Sequence, residues 1–142
     1  MIAVVTVIDA KGHILGRLAS NVAERILNNE EIVILNAESV IITGTKEMVF
    51  AQFKAKVDRG QIRKGPYYPR RADLLLKRTI RGMIPWSTTT GREAYRRIHV
   101  FVGSPEQFKD SEKQTVEQAM RLNTGKYTTL GAVAKFLGSN VR

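Results

Sequence analysis

The sequence has no cysteine and only two histidines in 142 residues. The absence of cysteine excludes disulfides, thiol nucleophiles, thiolate zinc sites and iron–sulfur clusters. There is no Gly-x-Ser-x-Gly elbow, and no pair of carboxylates falls in a segment that resembles a cleft. We expect His13, in a turn, to contact solvent or phosphate, and His99 to belong to a strand. The sequence therefore predicts a protein that is not an enzyme and holds no metal or cofactor.

Long hydrophobic runs are also lacking. The apolar stretch from Met1 to Ile8 contains Thr6 and ends at Asp9, well short of the ~20 residues that a membrane span needs. It has no basic segment before it and no small-residue cleavage site, so we expect no secretory signal and no membrane partner. With 43% hydrophobic residues, the chain is predicted to fold as one domain over residues 1–142.

Positive charge is abundant, and it is concentrated in one segment. The net charge is +10, from 23 Lys and Arg against 13 Asp and Glu. Residues 54–97, called the central block below, hold 13 basic and 3 acidic side chains and so carry +10, whereas residues 1–53 sum to −2 and residues 98–142 to +2. Such a block repels itself in isolation, which favours a polyanionic partner over a merely solubilising surface.

Hydrophobic periodicity predicts alternating strands and helices. Residues 3–8 and 32–35 are β-branched and apolar without alternation, which is typical of strands buried on both faces. Between them, apolar residues recur at helical spacing from Leu15 to Ile26, so the first 35 residues predict a β-α-β unit. A third strand at 40–43 and a helix from about residue 46 to 59 follow.

The second half of the chain begins with an exposed loop over residues 60–70, in which Ile62 is the one aliphatic residue. We predict helices at 72–83 and 90–97, a strand at 98–102, and two small helices in a C-terminal part spanning 105–142. The first of these helices would start at the capping-box pattern Ser111-Glu-Lys-Gln114, and the second would run from about 129 to 137. The fold class is α/β, in three layers around a largely parallel sheet.

A glycine-containing turn, Gly12-His-Ile-Leu-Gly-Arg17, lies between the first strand and helix and could hold a phosphate. It has neither the dinucleotide nor the P-loop spacing, although Glu38 loosely mimics a ribose-binding acid. We favour a structural role, with Gly12 forming the turn and Gly16 letting the helix approach the sheet. A nucleotide-binding α/β enzyme that uses the Gly12–Arg17 turn remains the alternative.

The central block interleaves cations with turn-forming and aromatic residues, which is the composition of a nucleic-acid contact. In the segment Arg59-Gly-Gln-Ile-Arg-Lys-Gly-Pro-Tyr-Tyr-Pro-Arg-Arg71, arginines can bind phosphate in a bidentate manner and a tyrosine can stack on a base. Tyr67 could instead cover the core beneath the loop. The candidate RNA-binding residues are Lys11, Arg17, Lys46, Arg59, Arg63, Lys64, Gly65, Tyr67, Arg70, Arg71, Lys77, Arg78, Arg81, Gly82, Arg92, Arg96 and Arg97.

Several motifs occur in an order that resembles one known family. They are Ile8-Asp-Ala-Lys-Gly-His-Ile-Leu-Gly-Arg-Leu-Ala-Ser20, Val33-Ile-Leu-Asn-Ala-Glu38, Ile42-Thr-Gly-Thr-Lys46, Arg63-Lys-Gly-Pro66, Ile80-Arg-Gly-Met-Ile-Pro85 and Gly91-Arg-Glu-Ala94. Together they resemble the universal large-subunit ribosomal protein number thirteen, in its archaeal form, over nearly the whole chain.

The resemblance implies a three-layer α/β/α fold with a four-stranded, mainly parallel sheet. It also implies a role in binding and organising large-subunit (23S-type) ribosomal RNA, beside neighbouring large-subunit proteins, in the cytoplasm and without a small-molecule substrate. By position, the family's basic and glycine residues correspond here to Arg59, Arg63, Lys64, Gly65, Arg81, Gly82 and Arg92.

Overall fold

The predicted β-α-β unit opens the fold. A computed structural model describes residues 5–120 and 125–139. Its strands are β1 (Val5–Asp9), β2 (Glu31–Leu35), β3 (Ile41–Thr43), β4 (Ile98–Val100), β5 (Lys113–Gln114) and β6 (Tyr127–Thr129). Its helices are α1 (Leu15–Leu27), α2 (Lys46–Asp58), α3 (Ala72–Arg81), α4 (Thr89–Arg96) and α5 (Leu130–Phe136). The predicted part of the first strand before Val5 lies outside the described residues.

The main sheet has four strands in the order β4-β2-β1-β5, and all three pairings are parallel. The α/β class and the four-stranded parallel sheet are thereby confirmed. One predicted strand has a different place, because β3 pairs antiparallel with β6 in a separate two-stranded sheet. The fourth strand of the main sheet is β5, which the hydrophobic pattern does not indicate.

The capping-box prediction at residues 111–114 is wrong. Lys113 and Gln114 pair in parallel with Val7 and Ile8 of β1, so the segment is a strand rather than a helix start. The edge of β1 presents backbone donors and acceptors that need partners, and pairing with residues 113–114 satisfies them. A local capping pattern competes with this distant contact and loses, because exposed helix caps contribute only about 1 kcal/mol. The predicted final helix is confirmed as α5, with Thr129 accepting a hydrogen bond from Ala132 N.

The sheet is buried on both faces, in three layers. The larger core joins the buried sides of the helices to one face of the sheet, around Ile8, Ile32 and Ile34. On the other face, Val7, Val33 and Leu35 pack against Phe101 and Phe108 of the segment that follows β4. This two-sided burial explains why the strands are continuously apolar.

α3 ends two residues earlier than the pattern predicts. Its buried side consists of Ala72, Leu75, Leu76 and Ile80, as expected. Gly82 is the C-cap residue, and Met83 lies beyond the helix with 43% of its surface exposed. Because one side of α3 is buried in the core, its basic residues lie on the opposite side, away from the core.

In the turn after β1, the predicted role of Gly12 is confirmed, whereas those of Gly16 and His13 are not. Gly12 has φ +79°, which confirms its predicted role in the turn. Gly16 does not bring the helix closer to the sheet, because a Cβ atom at this position would meet nothing within 4 Å. The expected contact of His13 with solvent or phosphate is also wrong, since the side chain is 0% exposed.

His13 links two distant parts of the chain. Its Nε2 accepts a hydrogen bond from Val116 N at 2.9 Å, which leaves the ring hydrogen on Nδ1, 3.2 Å from the carbonyl oxygen of Lys11. A short segment after β5 is thereby fastened to the turn after β1. His99 lies in β4, as predicted, and its Nε2 is 3.7 Å from a carboxylate oxygen of Glu31.

None of the described helices is both long and apolar enough to cross a membrane. Within residues 5–120 and 125–139, no group of three His, Cys, Asp or Glu side chains is arranged to hold a metal ion.

Candidate nucleic-acid interface

The loop between α2 and α3, residues 59–71, is held in shape by hydrogen bonds. Gln61 N donates to Gly65 O at 3.0 Å, and Gly65 N donates to Gln61 O at 2.9 Å. The hydroxyl of Tyr67 donates to the carbonyl of Ile62 at 2.7 Å. These bonds close a small ring of residues without any contribution from apolar burial, so an exposed loop can keep one conformation.

Gly60 is essential to this conformation. Its φ is +91°, and a Cβ atom there would lie 2.2 Å from Gly65 O and 2.3 Å from Pro66 Cδ. No other residue type fits such a space. The backbone at Gly60 therefore lies directly against the backbone at Gly65 and Pro66, and the hydrogen bonds of the loop depend on this close approach.

The loop exposes cations, one aliphatic side chain and one aromatic ring. Arg59, Arg63 and Lys64 are exposed. Ile62 does not anchor the loop, because it is 95% exposed. Tyr67 is 71% exposed, so the alternative prediction that it covers the core beneath the loop is wrong. The neighbouring Tyr68 packs against the core instead.

The basic residues of α3 lie over aromatic rings. Lys77 Nζ is 4.9 Å from the ring centre of Tyr95, Arg78 Cζ is 5.9 Å from that of Tyr68, and Arg81 Cζ is 4.3 Å from that of Trp86. Each cation is attracted by the negative face of the ring while its hydrocarbon stem covers apolar surface. The three cations are consequently half-buried and restricted in position, rather than freely solvated.

The aromatic residues that support these cations, Trp86 and Tyr95, are not among the candidates that the sequence indicates. Trp86 and Tyr95 contact each other edge to face, with ring centres 5.0 Å apart. Arg92 Nε donates to the carbonyl of Trp86 at 3.1 Å and so joins this group. The contact between Arg81 and Trp86 could have been predicted from the sequence, because the two residues are only five apart across the end of α3. The contact between Lys77 and Tyr95 could not, because it depends on how α3 and α4 pack.

Burial raises the pKa of the Tyr68 hydroxyl, although the positive charge of Arg78 opposes the effect. Burial likewise raises the pKa of Tyr95, against the charges of Arg81 and Arg78. Both phenols therefore keep their hydrogen at neutral pH. The two rings therefore add no negative charge beside Arg78 and Arg81.

A cleft of about 580 Å³ lies between the loop and the exposed sides of α2 and α3. We call it the tyrosine cleft, and it is lined by Lys56, Arg59, Pro66, Tyr67, Tyr68, Arg78 and Arg81. Every charged residue in this lining is positive. None of these cations forms a salt bridge among the described residues. The salt bridges found there use other basic residues, and they pair Arg25 with Glu30, Arg71 with Asp73 and His99 with Glu31.

Other candidates of the central block are tied to the protein itself. Arg70 donates to the carbonyl of Leu137 at 3.3 Å, and Arg97 donates to that of Ile26 at 2.9 Å, at the C-terminal end of α1. Arg71 forms a salt bridge with Asp73 at 3.3 Å. Arg96 differs from these three, because it is exposed on α4 and no such bond is seen for it among the described residues.

Three candidates lie away from the tyrosine cleft. Lys11 lines a mainly apolar cavity of about 750 Å³, together with Glu38, Tyr127 and Lys135. Arg17 lines a separate groove that also includes Glu24. Lys46 is the first residue of α2, with its Nζ 5.4 Å from the ring centre of Phe50. The structure therefore brings together the candidates of the loop and α3, and leaves these three elsewhere.

The carboxylate of Glu38 is used inside the fold. Its Oε2 accepts a hydrogen bond from Gly103 N at 2.9 Å, just after β4. The acid that loosely mimics a ribose-binding residue thus holds a loop in place. This engagement removes the accessory feature of the nucleotide-enzyme alternative, whose main feature is the Gly12–Arg17 turn.

Sequence comparisons with known proteins identify the family of this chain. The family model described as ribosomal protein L13 matches residues 3–107, a range that includes the whole central block. The chain is 52% identical to the large ribosomal subunit protein uL13 of Archaeoglobus fulgidus, over 94% of this chain and 87% of that protein. It is 47% identical to the uL13 proteins of Methanosphaera stadtmanae and Methanocaldococcus jannaschii, over 94–95% of this chain and 98% of each. A match of this extent shows that the chain belongs to the ribosomal protein L13 family.

Proposed function

We propose that the protein is a structural constituent of the large ribosomal subunit that binds and organises large-subunit ribosomal RNA. The observation that carries the proposal is the tyrosine cleft and its surroundings, where the cations of the loop and α3 meet without carboxylate partners among the described residues. We call this face the basic surface, and its cationic members are Lys56, Arg59, Arg63, Lys64, Lys77, Arg78 and Arg81.

Phosphate groups are the partner that such a surface requires. Cations that face no internal carboxylate repel one another, and binding to a polyanion relieves that repulsion and releases counterions. The aromatic contacts of α3 restrict Lys77, Arg78 and Arg81 before binding, so less of their side-chain entropy is lost when the complex forms. Family membership supports ribosomal RNA as that polyanion, with neighbouring large-subunit proteins as further partners, in the cytoplasm. No catalytic step forms part of the proposal.

Sedimentation with ribosomal subunits tests the proposal. Tagged protein is expected to travel with the large subunit in a sucrose gradient, and purified protein to bind large-subunit RNA more tightly than small-subunit RNA. A double variant, Arg59→Gln with Arg63→Gln, should weaken RNA binding by about 10-fold or more, since each lost phosphate contact removes part of the electrostatic free energy.

The matched control is Lys109→Gln with Lys135→Gln, which removes two exposed cations outside the central block. This control should leave RNA affinity within about twofold of the wild type, because its positions lie off the basic surface. Protein that stays at the top of the gradient and binds neither RNA would contradict the proposed function.

A further inference from the structure

The tyrosine cleft combines two kinds of group that a single nucleotide needs. Its volume of about 580 Å³ is within the usual range of small-molecule sites, roughly 300–1,000 Å³. Its lining provides cations on the α2 and α3 sides and two tyrosine rings on the loop side. A surface that only neutralised the outside of a duplex would need the cations but not a recess with aromatic walls.

The cations of the cleft are positioned before any ligand binds. Arg78 and Lys56 lie over the same Tyr68 ring, with Arg78 Cζ at 5.9 Å and Lys56 Nζ at 5.7 Å from its centre. Arg81 is held over Trp86 at 4.3 Å. The two arginines contact the rings through their guanidinium groups and Lys56 through its ammonium group, and none of the three has a carboxylate partner among the described residues.

Tyr67 provides the second group. Its ring is 71% exposed, yet its hydroxyl is fixed to the carbonyl of Ile62 at 2.7 Å. An aromatic ring that is exposed and also fixed in orientation can accept a flat partner with little loss of entropy. Base–aromatic stacking contributes about 1–3 kcal/mol per base and suits every base type.

We propose that the tyrosine cleft holds one unpaired nucleotide of RNA, with its base stacked on Tyr67 and its phosphate bound by Arg78 and Arg81. The proposal rests on the proposed function and specifies the RNA element that the site takes. Inside an A-form duplex, both faces of a base are covered by its neighbours, so only an unpaired base can present a face to Tyr67. The protein accordingly recognises a bulge, loop or single-stranded junction at this site.

Two RNA probes test the proposal with the full-length protein. The first is a single strand of 24 uridines with one 5-iodouridine, and the second is a 12-base-pair RNA duplex with nearly the same number of phosphates and the same label in an internal base pair. On irradiation, the single strand is expected to crosslink at Tyr67, as identified by mass spectrometry. Crosslinks confined to other residues would overturn the stacking assignment.

Affinity measurements on Tyr67→Leu provide an independent readout. This variant should bind the single strand about 10-fold more weakly, because the stacking partner is lost, and bind the duplex within about twofold of the wild type. Tyr127→Leu is the matched control, since Tyr127 is a half-exposed tyrosine outside the cleft and should affect neither probe.

A second variant, Tyr67→Phe, keeps the ring and removes the hydrogen bond to Ile62. It should bind the single strand nearly as well as the wild type. If it loses as much affinity as Tyr67→Leu, the residue acts by bracing the loop and the stacking proposal is wrong. If wild-type protein binds both probes and Tyr67→Leu binds them equally well, the cleft proposal fails while the proposed function stands. If wild-type protein binds no RNA, both fail.

Discussion

Gly91 and Gly16 both lie within helices, but they have opposite surroundings. A Cβ atom on Gly91, in α4, would be 2.0 Å from the carbonyl oxygen of Pro85 and 2.6 Å from its carbon. The close approach of α4 to Pro85 sets the position of Trp86, over which Arg81 lies. Gly16, in α1, faces open space. A glycine is therefore required at one of the two positions and dispensable at the other.

We expect Gly91→Ala to reduce the free energy of unfolding by about 1–3 kcal/mol, because the added methyl group overlaps backbone that has to move. Gly16→Ala should leave stability unchanged or raise it by up to about 1 kcal/mol, since alanine is the better helix former. Urea unfolding curves of the two variants measure both effects. Equal effects from the two substitutions would refute this account of the Gly91 contact.

Under the proposed function, α3 separates the requirements of folding from those of RNA binding. Leu75, Leu76 and Ile80 are fully buried on one side of the helix. On the other side, Arg78 and Arg81 are half-exposed and contact aromatic rings rather than acidic partners. Cation–π contacts at such sites contribute about 0.5–1 kcal/mol each, which is small beside the burial of a leucine.

Replacing Arg78 and Arg81 together by Glu should therefore cost RNA affinity and leave the fold intact. We expect roughly 3 kcal/mol or more of lost RNA-binding free energy, since two phosphate partners become repulsive charges. The accompanying loss of stability should be about 1–2 kcal/mol, from the two cation–π contacts.

Leu76→Ala is the converse variant. It should lower stability by about 2–5 kcal/mol, while its folded fraction binds RNA like the wild type. Thermal melting and RNA titration of both variants decide the matter. If the double Glu variant unfolds, those arginines are structural and the basic surface is misassigned.

At the scale of the whole molecule, positive charge is segregated. The central block carries +10, while the flanking parts of the chain are nearly neutral. Seven of these cations lie on the basic surface. Others bind groups of the protein itself, such as Arg71, which forms a salt bridge with Asp73, and Arg97, which donates a hydrogen bond to the carbonyl of Ile26. The number of cations without an internal partner is therefore smaller than the charge alone indicates.

We expect RNA affinity to fall steeply with salt. If about 6 phosphates are neutralised, the slope of log affinity against log salt should be several units, at roughly 0.7–0.9 for each contact. A binding series from low to high salt with large-subunit RNA measures this slope. A value shallower than about −2 would show that the basic surface does not provide the main binding energy.

The elements that could be predicted from the sequence are those with a strong local pattern. α1 has a regular apolar stripe, β2 is an unbroken apolar run, and the 59–71 loop is rich in glycine and proline, so each was found close to its observed bounds. β5 has only two residues, both exposed, and no pattern marks it. Its strand character comes from the free edge of β1, more than a hundred residues away in the sequence.

The fold class, the family and the segment that carries the charge can all be read from the amino-acid sequence, because hydrophobic period, motif order and charge density are local properties. Which cations lie close together, in contrast, depends on the tertiary structure. It placed Arg59 of the loop beside Arg78 and Arg81 of α3, and it left Lys11 and Arg17 in other parts of the molecule. It also buried His13 and turned Tyr67 outward. These outcomes depend on packing between distant segments, where the burial of apolar groups and the pairing of backbone donors outweigh local preference.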